Sequence, residues 1–323
     1  MIGVNEVDLP SCTFVSLVVI AFLCYDRKPA STTKVTKLHE GRRDLQRTLR
    51  PASLSRSGRS AQKSCAIIPL MGNSGNGGEI MHGPFLGEFM GTLVLILLGD
   101  GVVANVLLKK SKGESSGWIV IATAWGMAVV AGICTAVACG SPGAHINPAI
   151  TLAVALLSKN WSNVAMFWAA QFLGAFAGAS LVWLVYLPHW KETPDRGAKL
   201  AIFCTQPAIR QIPSNLLCEI IVTVCLIVVG FSFGSKELAP AGLAPGFSPW
   251  FWGVLVWVIG LSLGGPTGYA INPARDLGPR IAHAVLPISD KGGSDWGYAV
   301  VPIIGPLIGA GLAAGIIKLV GIS

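Results

Sequence analysis

The sequence predicts an all-α membrane protein, with six transmembrane helices and two re-entrant half-helices arranged as an inverted repeat. Three observations carry that expectation. Of 323 residues, 52% are hydrophobic and only 12% are charged, where soluble domains hold about a quarter charged. The apolar residues fall in six runs long enough to cross a bilayer. The two halves of the chain also repeat one pattern of residues in the same order.

The first 80 residues stand apart. Residues 26–66 are rich in Arg, Ser, Thr and Lys, and a Gly/Asn run follows at 72–78. That composition lacks the apolar content to pack a core, so a disordered basic extension is expected here. The apolar stretch from Cys12 to Cys24 is about 13 residues, short of the roughly 17 to 25 that a span needs. Glu6 and Asp8 precede it, where a secretory signal would carry basic residues. A true start at Met71 or Met81 is an alternative reading of this region. The formal charge of +8 also concentrates here, with 11 Lys/Arg against 6 Asp/Glu up to residue 80 and 13 against 10 afterwards. The charge therefore belongs to a tail and does not indicate nucleic acid as a partner.

From Pro84 onward, long apolar segments run at about 84–108, 117–139, 162–186, 214–234, 249–265 and 296–320. Each spans ~30 Å at ~1.5 Å per residue. Two shorter segments, Asn147 to about Leu157 and Asn272 to about Val285, reach only half of that thickness. Neither crosses alone. Most of the eight cysteines lie inside apolar runs without C-x-x-C spacing, and they read as small core residues rather than a disulfide framework.

Repetition organises this core into repeat one, 84–186, and repeat two, 214–320. Glu88, Thr92, Leu95, Ile96 and Gly99 recur at identical spacing as Glu219, Thr223, Leu226, Ile227 and Gly230. Gly143-Ala-His-Ile-Asn147-Pro148-Ala149 is answered by Gly268-Tyr-Ala-Ile-Asn272-Pro273-Ala274. Three spans per repeat is an odd number, so the second repeat enters the membrane inverted and the two half-helices can meet head to head at the midplane. Asn is a preferred N-cap and Pro is favoured at the first helical position, so each Asn-Pro-Ala reads first as a helix start. Two copies opening half-length helices at matched positions imply more. Non-helical backbone at membrane depth is tolerated only inside protein or beside a watery cavity, and a pore is such a cavity.

These motifs, together with Arg275-Asp276-Leu-Gly-Pro279-Arg280 after the second, closely resemble the major intrinsic proteins over roughly residues 84–320. Asp276 resembles the glycerol-facilitator, or aquaglyceroporin, branch. The resemblance implies a channel for glycerol and similar small neutral solutes with water, excluding protons and ions. It also implies homotetramers in a cell membrane, with both termini cytoplasmic. The backbone carbonyls of Gly143, Ala144, His145, Gly268, Tyr269 and Ala270 would line the pore as acceptors. Trp125, Gly260, Tyr269 and Arg275 would form a selectivity filter, Gly260 leaving room and the aromatics offering an apolar wall, with Met127 an alternative to Trp125. Glu88 and Glu219 would accept N–H groups from the re-entrant segments, and Asp276 reads as structural near a helix N-terminus.

Residue chemistry supports this use. The paired Asn amides would each present N–H donors to one stretch of lumen, and each half-helix N-terminus adds about +0.5 elementary charge against cations. Arg275 sits at the unfavourable end of its helix dipole, and a charge at depth costs at least ~2.5 kcal/mol, so stability does not account for it. Its match in repeat one is Ile150. Arg275 is the only charge that the sequence places near the Asn pair, which argues against an ion- or proton-coupled transporter. A mainly water-selective channel is the other alternative. No phosphate-binding loop, H-E-x-x-H motif or nucleophile set stands clear of the apolar runs. No enzyme activity, cofactor or metal is therefore expected.

Overall fold

The computed structural model describes residues 82–322. The expectations for residues 1–80, including the stretch Cys12 to Cys24 and the alternative starts at Met71 and Met81, lie outside the described residues. The described residues form helices without a strand. In chain order these are α1 (Pro84–Leu107), α2 (Trp118–Ala138), α3 (Pro148–Ser158), α4 (Val164–Val185), α5 (His189–Glu192), α6 (Arg196–Phe203), α7 (Ile212–Ser232), α8 (Phe247–Leu263), α9 (Pro273–Val285) and α10 (Val300–Val320).

Five of them, α1, α2, α4, α7 and α10, have the length and apolar composition of membrane spans. The sixth, α8, has 17 residues and is apolar throughout. At ~1.5 Å per residue it covers about 26 Å. Exposed Leu98, Ile119, Leu173, Val185, Leu217 and Leu312 cover the outer surfaces of these helices, the pattern of helices that meet lipid. Inside, the helices approach through small residues. On α4, a Cβ at Gly174 or Gly178 would meet the α1 backbone at Phe89 or Leu93, as small-residue packing in membranes requires.

The two half-helices, α3 and α9, interlock the repeats. α3 packs on α10 of repeat two, and α9 packs on α4 of repeat one. Each half-helix has a lysine at its C-terminal end. The Lys318 Nζ donates to the Leu156 carbonyl of α3 at 2.7 Å. Lys291 Nζ donates to the carbonyls of His283, Ala284 and Leu286 around the end of α9, at 2.6 to 2.7 Å. A cation there matches the negative end of the helix dipole.

Two features depart from the sequence reading. The last span begins at Val300 rather than near 296, because Trp296 to Ala299 forms turns before it. The segment between the repeats, for which the sequence predicts no element, contains α5 and α6. Asp195 caps α6 by accepting from Ala198 N at 3.1 Å. Lys199 is buried there and donates to the Ser289 carbonyl at 2.5 Å.

Candidate functional site

Each re-entrant segment descends to its half-helix through strained backbone. Ala144, Ile146, Tyr269 and Ile271 have φ of +40°, +44°, +39° and +45°. They stand three and one residues before Asn147 and Asn272, at matched positions. Left-handed conformation in a non-glycine residue costs of order 1–3 kcal/mol and persists only where the surroundings hold it.

Two buried carboxylates hold it. Glu88 Oε1 accepts from His145 N at 2.8 Å and from Ser141 Oγ at 2.7 Å. Its Oε2 accepts from Ile146 N at 2.6 Å and Gln171 Nε2 at 2.8 Å. In repeat two, Glu219 Oε1 accepts from Ala270 N at 3.0 Å and Thr267 Oγ1 at 2.7 Å, and Oε2 from Ile271 N at 2.9 Å. With those N–H groups turned to the glutamates, the carbonyls of Gly143, Ala144, His145, Gly268, Tyr269 and Ala270 accept no hydrogen bond among the described residues. Unpartnered carbonyls in sequence are what a solute pathway needs as acceptors. Ser141 and Thr267 were missed from sequence, because they stand at different distances from their Asn, six residues and five.

Asn147 and Asn272 then start α3 and α9 from extended backbone. Asn147 Oδ1 accepts from Ala149 N at 2.8 Å, and Asn272 Oδ1 from Ala274 N at 3.0 Å. Pro148 and Pro273 take the first helical positions, where no N–H is required. The amide nitrogens cross over: Asn147 Nδ2 donates to the Ile271 carbonyl at 2.8 Å and Asn272 Nδ2 to the Ile146 carbonyl at 2.9 Å. The half-helix tips therefore touch, and each amide retains one further N–H.

A cavity of about 580 Å³ passes this junction. Phe231 and Trp252 line one end of it, and Trp125, Tyr269 and Arg275 the other, with Gly143 to Asn147 and Ala270 to Asn272 between. Arg275 is only 7% exposed, and its guanidinium carbon lies 4.2 Å from the centre of a Trp125 ring. Cation–π contact of this kind fixes the charge against an apolar wall. Tyr269 closes the same end, edge-on to Trp118 at 5.8 Å, and Trp118 Nε1 donates to the Gly260 carbonyl at 2.9 Å.

Gly260 needs a revised account. A Cβ there would lie 2.8 Å from both the Tyr269 ring and its hydroxyl, and 3.2 Å from Ala122. The absent side chain makes room for Tyr269, and the tyrosine rather than Gly260 lines the cavity. Gly268 and Met127 do not line it either. His145 does, held by Thr151 Oγ1 at 3.1 Å and set edge-on to Phe167 at 5.0 Å.

Asp276 is fully buried and turned away from this path. Its Oδ2 accepts from Thr205 N and Oγ1, both at 2.8 Å, and its Oδ1 from Arg280 Nε at 2.8 Å. Arg280 also donates to the carbonyls of Ser294 and Asp295. The pair thereby ties α9 to the segments on either side.

One charged neighbour of Arg275 escaped sequence reading. Asp100 of α1, wholly buried, places Oδ1 3.6 Å from Arg275 Nη1. Arg275 is thus not the only charge near the Asn pair. Asp100 follows Gly99 inside an apolar run, and its partner stands far along the chain, so no local spacing announces the contact.

Comparison with known proteins fits this geometry. A sequence model of the family described as Major intrinsic protein matches residues 80–317. The probable glycerol uptake facilitator protein of Thermotoga maritima is 58% identical over 231 residues, covering 71% of this chain and 96% of that protein. The glycerol uptake facilitator protein 3 of Lactiplantibacillus plantarum is 52% identical over 230 residues, covering 71% and 93%. Among solved structures, the aquaglyceroporin from Plasmodium falciparum superposes with a TM-score of 0.65 at 27% identity, covering 74% of this chain and 98% of that one.

Proposed function

The chain belongs to the major intrinsic protein family, and on that premise we propose that it is a passive channel for glycerol and similar small neutral solutes, with water alongside. The reciprocal bond between the half-helix tips carries this reading. It leaves one amide N–H on each asparagine for a passing oxygen. An oxygen that accepts from both directs its own hydrogens away along the pore, which interrupts a proton wire. The positive ends of α3 and α9 face the same point and oppose cations.

Selectivity follows at the Arg275 end. Trp125 and Tyr269 present apolar faces for the carbon side of a polyol, while the guanidinium donates to its hydroxyls. The unpartnered carbonyls of Gly143, Ala144, His145, Tyr269 and Ala270, which line the cavity, accept from those hydroxyls along the path. Glu88, Glu219 and Asp276 act on this path only through the backbone that they hold. Such an arrangement lowers a barrier to passage and makes or breaks no bond, so the reading is transport without catalysis.

The protein sits in the membrane as a multi-pass chain. Six spans bring both ends of the channel domain to one side, which we take as cytoplasmic, and four such chains with one pore each form the working assembly. Reconstitution into liposomes with stopped-flow light scattering tests the function. Glycerol flux well above that of empty liposomes, dissipating without a pH gradient, is the expected result. Uphill glycerol accumulation driven by a pH gradient would replace this reading with a coupled transporter, and water flux without glycerol flux with a water channel.

A further inference from the structure

Asp100 lies outside every role given above. It is a fully buried acid, and both of its oxygens accept no hydrogen bond among the described residues. Its nearest opposite charge is Arg275, at 3.6 Å. The other acid that acts on it electrostatically, Asp276, is already engaged by Arg280 and Thr205. The remaining titratable neighbour is Cys204, at the end of α6. Arg280 pairs with Asp276, and Asp100 is the acid that faces Arg275.

The internal repeat gives an independent argument. Glu88 and Glu219 correspond, so Asp100, twelve residues after the first, matches Phe231, twelve after the second. Arg275 and Ile150 correspond, each three residues after its Asn. The tryptophans match as well: a Cβ at Gly99 would run into the Trp125 ring, and one at Gly230 into the Trp252 ring. One mouth of the cavity therefore carries Trp125 and Arg275, with Asp100 buried beside Arg275. The equivalent place at the other carries Phe231, Trp252 and Ile150, with Phe231 edge-on to Trp252 at 6.5 Å. The acid and the base occur together at one end, and both matching residues are apolar at the other.

We propose that Asp100 is the counter-ion of Arg275, a positioning residue that holds the guanidinium against the wall and cancels its charge, so that the constriction favours neither anions nor cations. The proposal rests on the reading of Arg275 as part of the constriction. A lone guanidinium in a narrow apolar passage would concentrate monoanions, and a lone buried carboxylate would concentrate cations. Paired, they leave N–H donors for hydroxyls without a net field.

A charge-specific double-mutant cycle tests this. Asp100→Asn, Arg275→Ala and the double variant are reconstituted. Nitrate entry is followed by swelling in potassium nitrate with valinomycin, and proton entry by an entrapped pH dye. Asp100→Asn is expected to raise nitrate entry on the order of tenfold. Arg275→Ala should raise proton entry instead, and the double variant should return both leaks toward the unaltered chain. An Asp100→Asn variant without a nitrate gain, or a double variant that leaks at least as much as the worse single variant, overturns the proposal. Should Asp100→Asn fail to insert, insertion and water flux of the double variant support the pair, and failure of the double as well overturns it. Glycerol flux of the unaltered chain is a separate control, and its absence would defeat the channel reading whatever the leaks do.

Discussion

The side-chain amide of Asn147 donates across the repeat boundary to the carbonyl of Ile271 at 2.8 Å. This bond does two things at once: it joins the tips of two half-helices, and it aims the second N–H of the same amide at the cavity. In Asn147→Asp the cap on Ala149 N survives, but a carboxylate faces the Ile271 carbonyl. We expect a loss of about 1–3 kcal/mol, read as a lower Tm in detergent, and proton entry above that of the unaltered chain in dye-loaded liposomes.

Removing the guanidinium widens the constriction. Arg275→Ala should raise the flux of a five-carbon polyol relative to glycerol on the order of tenfold. Paired swelling assays on one liposome preparation measure the ratio directly. An unchanged ratio would place the size limit elsewhere along the cavity.

The Tyr269 ring occupies the space that Gly260 leaves free, which sharpens what a bulkier residue there would do. In Gly260→His with Trp125→Phe, the imidazole displaces the tyrosine ring toward the lumen and the apolar wall shrinks. Glycerol flux should fall on the order of tenfold or more, with water flux less affected. Unchanged glycerol flux in this double variant would remove Trp125 and Tyr269 from the filter.

The carboxylate of Glu219 accepts three hydrogen bonds from a segment with two left-handed residues. In Glu219→Gln one oxygen becomes an NH₂ that meets the Ile271 N–H donor to donor. We expect about 3 kcal/mol of destabilisation and loss of both glycerol and water flux. The corresponding Glu88→Gln variant should lower the Tm comparably, because Glu88 accepts four bonds. Retained flux with a lowered Tm would show that the carbonyl ladder survives without this grip.

Much of the fold was legible because membrane spans announce themselves by length alone, and because the repeat supplied two readings of each half. The Asn-Pro-Ala starts were legible from the chemistry of caps. Contacts made across the repeats were harder. Nothing near Gly260 in sequence says that Tyr269 fills its space, and nothing near Asp100 names Arg275. Ser141 and Thr267 perform the same task, but the first re-entrant segment has one more residue, so they do not align. The helices α5 and α6 escaped notice because the stretch between repeats is polar and short of periodic pattern. Asp195 was the one local signal for α6, a cap preceding Leu200, Ile202 and Phe203.

The crossed tie between Asn147 and Ile271, and between Asn272 and Ile146, has a consequence for biogenesis. Translation delivers repeat one first, so its half-helix enters the bilayer with an unmet amide and an unmet carbonyl at its tip, and without the α10 surface on which it packs. Until the second half arrives, that tip has only water or a chaperoning chain to satisfy it. Closure of the pore is therefore a late event that neither half completes alone. A nascent chain halted after α4 should leave residues 144–149 open to protease, and release of the full-length product should protect them.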